Sequence, residues 1–203
     1  MTPAASPFNV REALLAAARS ELAEYGRAAI SLRAVARRAG VSHAAPKHHF
    51  GDRAGLLTAI AIEGFQALTH ILKQIDQPDP QHQLAALGDA YIDFGLANPA
   101  LFELMFQPRE LQSTNPDLVR AQREAIGTLS AAVGQSAEAD NASSATPPLA
   151  LISWALAHGL AVLASDGALG TAAGADNSDA VDLAHALIHL FAQNMTLAQT
   201  SRD

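Results

Sequence analysis

The side chains best suited to bind a polyanion lie in the N-terminal segment of the chain, residues 1–60. Of the 203 residues in the chain, 13 are Lys or Arg and 20 are Asp or Glu, so the net charge is −7. The N-terminal segment holds eight of the bases and only four of the acids, a net charge of +4, and the remainder carries −11. The overall charge argues against a nucleic-acid partner, but the split favours one for the N-terminal segment. Arginine also coats solvated helix faces, so charge alone leaves both interpretations open.

Few other combinations of residues in the sequence could carry out catalysis or bind a metal ion. There is no cysteine, which excludes disulfides, thiolate metal sites and cysteine nucleophiles. No GxSxG, Gly-rich phosphate loop or HExxH motif is present, so we predict that the protein is not an enzyme and binds no cofactor. Asp182, His185 and His189 share one helical face and suggest transition-metal ligands. Neighbouring Leu and Phe residues favour a dimerisation helix instead, and we predict no metal.

Helices must position the basic side chains, because strand patterns are absent and Ala and Leu dominate. Asn9 is expected to cap a first helix that ends at Gly26, and Ser31 a second that ends at Gly40. Ser42 is expected to cap a third helix, with Pro46 in its first turn. Two short helices joined by a tight glycine turn are typical of a helix-turn-helix, whose second helix enters the major groove of DNA.

For the remaining chain, the sequence pattern predicts longer helices separated by loops. We predict about nine helices in all, the later ones at 53–75, 80–97, 100–106, 116–134, 147–166 and 178–200. Residues 135–148 are of low complexity, and Gly167 to Asn177 form a Gly/Ala-rich loop. No apolar run approaches the ~20 residues of a membrane span, and the N-terminus has no signal-peptide pattern, so we expect a cytoplasmic protein.

Residues 31–57 resemble the N-terminal domain of the TetR-type transcriptional regulators. The matching positions are Ser31, Val35-Ala36, Ala39-Gly40-Val41-Ser42, His49-Phe50 and Leu56-Leu57. The resemblance implies an all-α protein with an N-terminal three-helix DNA-binding domain, residues 1–52. It also implies a larger helical ligand-binding and dimerisation domain, residues 53–203.

The resemblance also assigns roles by position. Ser31, Lys47 and Arg53 match positions that contact phosphate, and Lys47 departs from the aromatic residue usual at its place. Arg33 matches a position that reaches a base edge, and His48 one near the backbone or a base. His49 is expected to pack beside Phe50. The implied DNA-binding set is Ser31, Arg33, Ser42, His43, Ala44, Ala45, Lys47, His48 and Arg53.

A second resemblance rests on Trp154, His158 and Gly159. These positions are similar to those of a TetR subgroup whose C-terminal domain is named for Trp, His and Gly. Aromatic and apolar side chains there favour a ligand pocket between helices, although such residues often only fill a core. The candidate pocket residues are Phe65, Phe94, Phe102, Met105, Phe106, Trp154 and His158.

These inferences predict a homodimeric repressor that a small apolar ligand releases from a palindromic operator. The last two predicted helices, 147–166 and 178–200, are expected to form the dimer interface. Two alternatives stay open at this point: a helical binding protein or enzyme for an apolar ligand, and a metal-responsive regulator that uses His185 and His189.

Overall fold

The computed structural model describes residues 9–134, 148–174 and 176–200, and these residues form helices and connecting turns without any strand. This confirms the all-α prediction. The described residues contain ten α-helices and one 3-10 turn, Arg27–Ala29. The helices are α1 Val10–Tyr25, α2 Leu32–Ala39, α3 Ala45–Phe50, α4 Arg53–Lys73, α5 Pro80–Ala97, α6 Pro99–Met105, α7 Pro116–Gly134, α8 Pro148–Ser165, α9 Ala168–Ala173 and α10 Asn177–Thr200.

The first two helices begin and end where their capping residues predict. The Asn9 side chain accepts hydrogen bonds from the backbone amides of Arg11 and Glu12, and Ser31 accepts one from Ala34. These bonds satisfy amides that have no partner within the helix. Gly40 follows α2 with a φ of 67°, a left-handed conformation that favours glycine. The tight turn of the helix-turn-helix is therefore encoded locally.

The third helix starts later than predicted. Ser42 is not its N-cap: α3 begins at Ala45, and the Ser42 hydroxyl accepts from the amide of Ala44 within the preceding turn, at 3.2 Å. Pro46 falls in the first helical turn, as expected, and its ring is buried. The missing amide of Pro46 is tolerated there, because amides of the first turn have no intrahelical partner.

Two other boundaries differ from the sequence prediction. The expected Gly/Ala-rich loop at 167–177 contains a short helix, α9, which Gly174 ends with a φ of 68°. The fourth helix ends at Lys73 rather than Ile75. Most of the predicted low-complexity segment, residues 135–147, lies outside the described residues.

The described residues pack as two units. The first comprises Met1–Gly64 and Ala100–Val119 as far as they are described, and the second Phe65–Pro99 and Arg120–Asp203 likewise. The first unit thus contains α1 to α3, the start of α4, and most of α6 with the connection that follows it. The functional boundary between residues 52 and 53 stays a prediction.

In the first unit, α1 packs on α2 and α3 around a core that includes Leu14, Leu15, Val35 and Leu56, all at most 2% exposed. Gly64 is where α4 meets α6. A Cβ added there would lie 2.7 Å from Met105 Sδ, so a larger residue at this position would force the Met105 side chain to shift.

In the second unit, α5 packs against both α8 and α10. Gly88 of α5 lies directly against Ile188 of α10, and a Cβ on Gly88 would overlap that side chain. Leu84, Ala85 and Ala192 are buried nearby, with Phe191 packed against them. Phe191 therefore belongs to the contact between α5 and α10.

The large apolar side chains exposed in this unit are concentrated on α8 and α10. Leu151, Ile152, Leu163 and Leu190 are 43%, 56%, 44% and 54% exposed. By length and composition, α4 and α8 also resemble membrane-crossing helices, which is weak evidence because core helices of soluble proteins do so too. The apolar window of α4 is 61% buried and that of α8 only 33%. The distinctive feature is thus an exposed apolar surface on α8 and α10.

Candidate functional sites

The helix-turn-helix presents most of the predicted DNA-binding residues to solvent. Ser31, Arg33, Ser42, His43, Ala44, Lys47 and His48 are exposed, and Ala45 and Arg53 are half-buried. His49 is also exposed, with its ring centroid 6.3 Å from that of Phe50. The buried Pro46 fixes the inner side of α3, so its polar residues are left on the outer side.

The turn from α3 into α4 is tight. Asp52 Oδ1 accepts from the amide of Gly55 at 2.8 Å, so Asp52 caps α4. A Cβ at Gly55 would overlap the carbonyl oxygen of Phe50. This turn holds the end of α3 directly against the start of α4.

Four of the eight basic side chains in the N-terminal segment are paired with acids inside the first unit. Arg19 pairs with Glu63, Arg27 with Glu103 and Glu110, and Arg53 with Glu110. Arg38 bonds Glu21 at 2.6 Å and Glu24 at 2.5 Å.

Hydrogen bonding stabilises the charged forms of Arg38 and Glu24. The hydrogen bonds to Glu24 and Glu21 raise the pKa of the Arg38 guanidinium, and the bond from Arg38 lowers the pKa of the Glu24 carboxyl. Arg38 also lies over the Tyr25 ring, 5.9 Å from its centroid. Its charge is therefore directed towards α1.

The other four bases are Arg11, Arg33, Arg37 and Lys47. Each is exposed, and no ion pair within the described part of the chain involves any of them. Arg33 and Arg37 lie one helical turn apart on α2. The Arg11 guanidinium lies 5.5 Å from the Phe50 ring centroid. Within the N-terminal segment, as far as it is described, the unpaired positive charge is thus carried by α1, α2 and α3.

A different polar cluster lies in the second unit, between α5 and α8. The Trp154 indole donates to Tyr91 Oη at 3.0 Å, and Tyr91 Oη lies 3.1 Å from His158 Nδ1. Tyr91 is 1% exposed, and burial raises the pKa of its hydroxyl. Burial also lowers the pKa of His158, which favours the neutral imidazole. The phenol therefore accepts from Trp154 and donates to neutral His158.

Sequence reasoning missed Tyr91. Its residue type carried a signal, because a tyrosine in an apolar helix usually needs a partner for its hydroxyl. The identity of that partner, 63 residues away along the chain, is not visible in local patterns.

The structure distributes the predicted pocket residues over both units. Phe65, Phe94, Trp154 and His158 lie in the second unit, where Trp154 and His158 join Tyr91 in the polar cluster. Phe102, Met105 and Phe106 lie in the first unit, where the Phe102 and Phe106 ring centroids are 5.2 Å apart. The pocket stays a prediction.

His185 and His189 have carboxylate partners on α5. His185 Nδ1 lies 2.7 Å from one oxygen of Asp89, and His189 Nε2 lies 2.7 Å from the other. His185 Nε2 lies 3.1 Å from Asp93. Asp182, the third residue of the metal alternative, is exposed. In the part of the chain that the structure describes, no group of three or more such residues is arranged to hold a metal ion.

Comparisons with known proteins agree with the helix-turn-helix. A sequence profile described as "Bacterial regulatory proteins, tetR family" matches residues 14–60. A second, "Tetracyclin repressor-like, C-terminal domain", matches residues 84–190. The HTH-type transcriptional regulator BetI of Stenotrophomonas maltophilia is 28% identical over 123 residues, 56% of this chain. The match spans 59% of the length of that curated relative.

Solved structures match over nearly the whole chain. A protein of unknown function from Rhodococcus sp. RHA1 is 33% identical, with 93% of this chain and 97% of that one covered and a TM-score of 0.73. A bacterial regulatory protein in the tetR family from Rhodococcus RHA1 is 21% identical at the same coverage, with a TM-score of 0.64. The second likeness shows the fold alone.

Fold and profile matches together define a DNA-binding transcription regulator rather than an enzyme. The chain belongs to the TetR family, whose members bind operator DNA and are typically homodimers. Its place in the Trp-His-Gly subgroup stays a prediction.

Proposed function

We propose that this protein is a sequence-specific repressor that binds a pseudo-palindromic operator as a homodimer and is released by a small apolar ligand. The observation that carries the proposal is the selective exposure of positive charge. Arg33, Arg37 and Lys47 are exposed on α2 and α3 and form no ion pair with any described residue, whereas other arginines nearby are neutralised by carboxylates. Uncompensated cations beside a helix-turn-helix fit a DNA backbone.

The docking follows from the helices. The side chains that would enter the major groove, which is about 12 Å wide, lie on α3 and directly before it. They are His43, Ala44, Lys47 and His48. Ala44 and Ala45 permit close approach and contact with a thymine methyl group.

Arg33 would read a guanine edge, and Ser31 and Lys47 would contact phosphates. Ser42 lies in the turn beside them.

The apolar surface of α8 and α10 supports a dimer. Four large aliphatic side chains exposed there fit a second copy of the same surface around a two-fold axis, as a four-helix interface. Two recognition helices would then read half-sites about 34 Å, or a multiple of that distance, apart.

The Tyr91–Trp154–His158 cluster is the best-supported place for an effector. It combines buried aromatic surface with a few hydrogen-bonding atoms, the composition that ligand sites share. A ligand there releases DNA only if it binds the DNA-free conformation more tightly than the DNA-bound one.

A gel-shift titration tests the proposal, with the promoter duplex that flanks the protein's own gene and a shuffled duplex of equal length. We expect the promoter duplex to bind at least about 1,000-fold more tightly, the lower end of specificity for such proteins. Equal affinity for both duplexes would contradict sequence-specific regulation at this promoter.

A further inference from the structure

Arg53 uses all three of its guanidinium nitrogens inside the first unit. Its Nε donates to the carbonyl oxygen of Ile30 at 3.0 Å, and its Nη2 to that of Arg27 at 2.7 Å. Its Nη1 bonds Glu110 Oε2 at 3.0 Å. A phosphate contact, the role that the family resemblance implies for Arg53, would compete with these bonds.

The two carbonyl groups lie at the entrance to α2. Arg27 begins the 3-10 turn that precedes α2, and the buried Ile30 directly precedes Ser31, the N-cap of that helix. Arg53 itself is the first residue of α4, three residues after α3 ends at Phe50. One side chain therefore ties the backbone before α2 to the backbone after the recognition helix.

Glu110 holds this guanidinium in place from the other side. Its carboxylate bonds Arg53 through Oε2 and Arg27 through Oε1, and its side chain is only 20% exposed. The amide of Gln112 donates to Thr58 Oγ1 at 2.9 Å, and Thr58 is 1% exposed. The connection between α6 and α7 is thus bonded to α4 at two places close to Arg53.

We propose that Glu110 and Arg53 form a positioning pair for DNA binding. The pair sets the orientation of the start of α2 relative to the end of α3, so that Ser31 and Arg33 meet the same DNA surface as Lys47 and His48. Neither member touches DNA. This inference rests on the proposed function and replaces the phosphate contact assigned to Arg53 by resemblance.

The two roles predict opposite results for charge removal at Glu110. If Arg53 contacts phosphate, Glu110→Gln frees two arginines from a carboxylate and tightens DNA binding. If the pair positions the helices, the same substitution weakens binding, because a neutral amide holds the guanidinium groups less firmly.

Arg53→Lys separates the same alternatives. A lysine retains the positive charge for phosphate, but its single nitrogen cannot span both carbonyl groups and Glu110. A phosphate contact predicts nearly unchanged affinity, whereas positioning predicts a loss. Because no phosphate contact is removed, the salt dependence of the affinity should not change.

The first experiment is a fluorescence-anisotropy titration of the full-length chain with the promoter duplex at several salt concentrations. We expect Glu110→Gln and Arg53→Lys each to bind about threefold to tenfold more weakly with an unchanged salt slope. The control is Glu103→Gln, which removes only the more exposed partner of Arg27 and should leave affinity within about twofold. Tighter binding by Glu110→Gln, or unchanged binding by Arg53→Lys, would overturn the proposal.

A second measurement needs no DNA. Hydrogen–deuterium exchange should be about tenfold faster in the first turn of α2 of Glu110→Gln than of Glu103→Gln, at a temperature where both variants are folded. Equal exchange in the two variants would overturn the positioning role whatever the DNA result. If the wild-type chain lacks specific DNA binding, the proposed function fails, and the exchange experiment still tests whether Glu110 orders α2.

Discussion

In the first unit, the long side chains exposed on α2 and α3 are cationic or carry imidazole, whereas in the second unit α8 and α10 expose four large aliphatic side chains. The polar groups that are paired inside each unit differ as well. The first unit neutralises four of its basic residues with carboxylates, and the second turns the polar groups of Tyr91, Trp154 and His158 towards one another. These exposed side chains support the two proposed partners: a polyanion for the first unit and an apolar protein surface for the second.

The largest expected effect is on the apolar surface. Ile152→Glu places a charge in the proposed dimer interface and should weaken dimerisation by about 100-fold, as loss of an interface hot spot does. Sedimentation velocity at a series of concentrations measures this. Ile71→Glu is the control, since Ile71 of α4 is 39% exposed but lies outside that surface. If Ile152→Glu remains as dimeric as Ile71→Glu, α8 does not form the interface.

The next effect concerns the helix crossing behind that surface. Gly88→Ala forces a methyl group against Ile188 and should lower the free energy of unfolding by about 1–3 kcal/mol. Gly127→Ala is a matched change in α7, where an added Cβ meets no atom within 4 Å, and it should raise that free energy by about 0.5–1 kcal/mol. Urea unfolding of both variants checks the signs. If Gly88→Ala left the free energy of unfolding unchanged, α5 and α10 would not be packed this closely.

The charged surface gives a smaller but more specific effect. Lys47→Ala should weaken binding to promoter and shuffled duplexes alike and reduce the salt slope by about 1, because one phosphate contact is lost. Arg19→Ala removes a base that already pairs with Glu63 and should leave the slope unchanged. If Lys47→Ala and Arg19→Ala changed the salt slope equally, ion pairing would not distinguish the bases that contact DNA from those that do not.

The smallest effect is a pH dependence in the second unit. Burial holds the pKa of His158 below its ordinary value, so the unfolded chain takes up a proton at a higher pH than the folded chain. The free energy of unfolding should therefore fall as the pH decreases below about 6.5, and level off below the folded pKa. His158→Asn should flatten this dependence, because an asparagine side chain takes up no proton in this pH range. Thermal unfolding at a series of pH values checks the difference.

Features that depend on neighbouring residues were predictable from the sequence. The caps at Asn9 and Ser31 and the glycine turn at Gly40 follow from residue types a few positions apart, and the structure contains all three. The family resemblance of residues 31–57 rests on the same local pattern. The start of α3 was misplaced because Ser42 can also close a turn, and the sequence does not distinguish that turn from a helix cap.

Features that depend on distant residues were not predictable. The partner of Arg53, Glu110, is 57 residues away, and Glu103 is 76 residues from Arg27. Counting charges in the N-terminal segment treats all eight bases as available to DNA, whereas tertiary pairing removes half of them. The Asp89 partner of His185 and His189 was hidden for the same reason.

Footprinting of the wild-type protein on the promoter duplex, combined with the stoichiometry of the complex, tests the central claim that one surface docks on DNA and the other on a second copy. We predict two protected half-sites related by two-fold symmetry, their centres about 34 Å or a multiple apart, with two chains, or a multiple of two, per duplex. A single half-site occupied by one chain, or uniform protection without symmetry, would contradict the account.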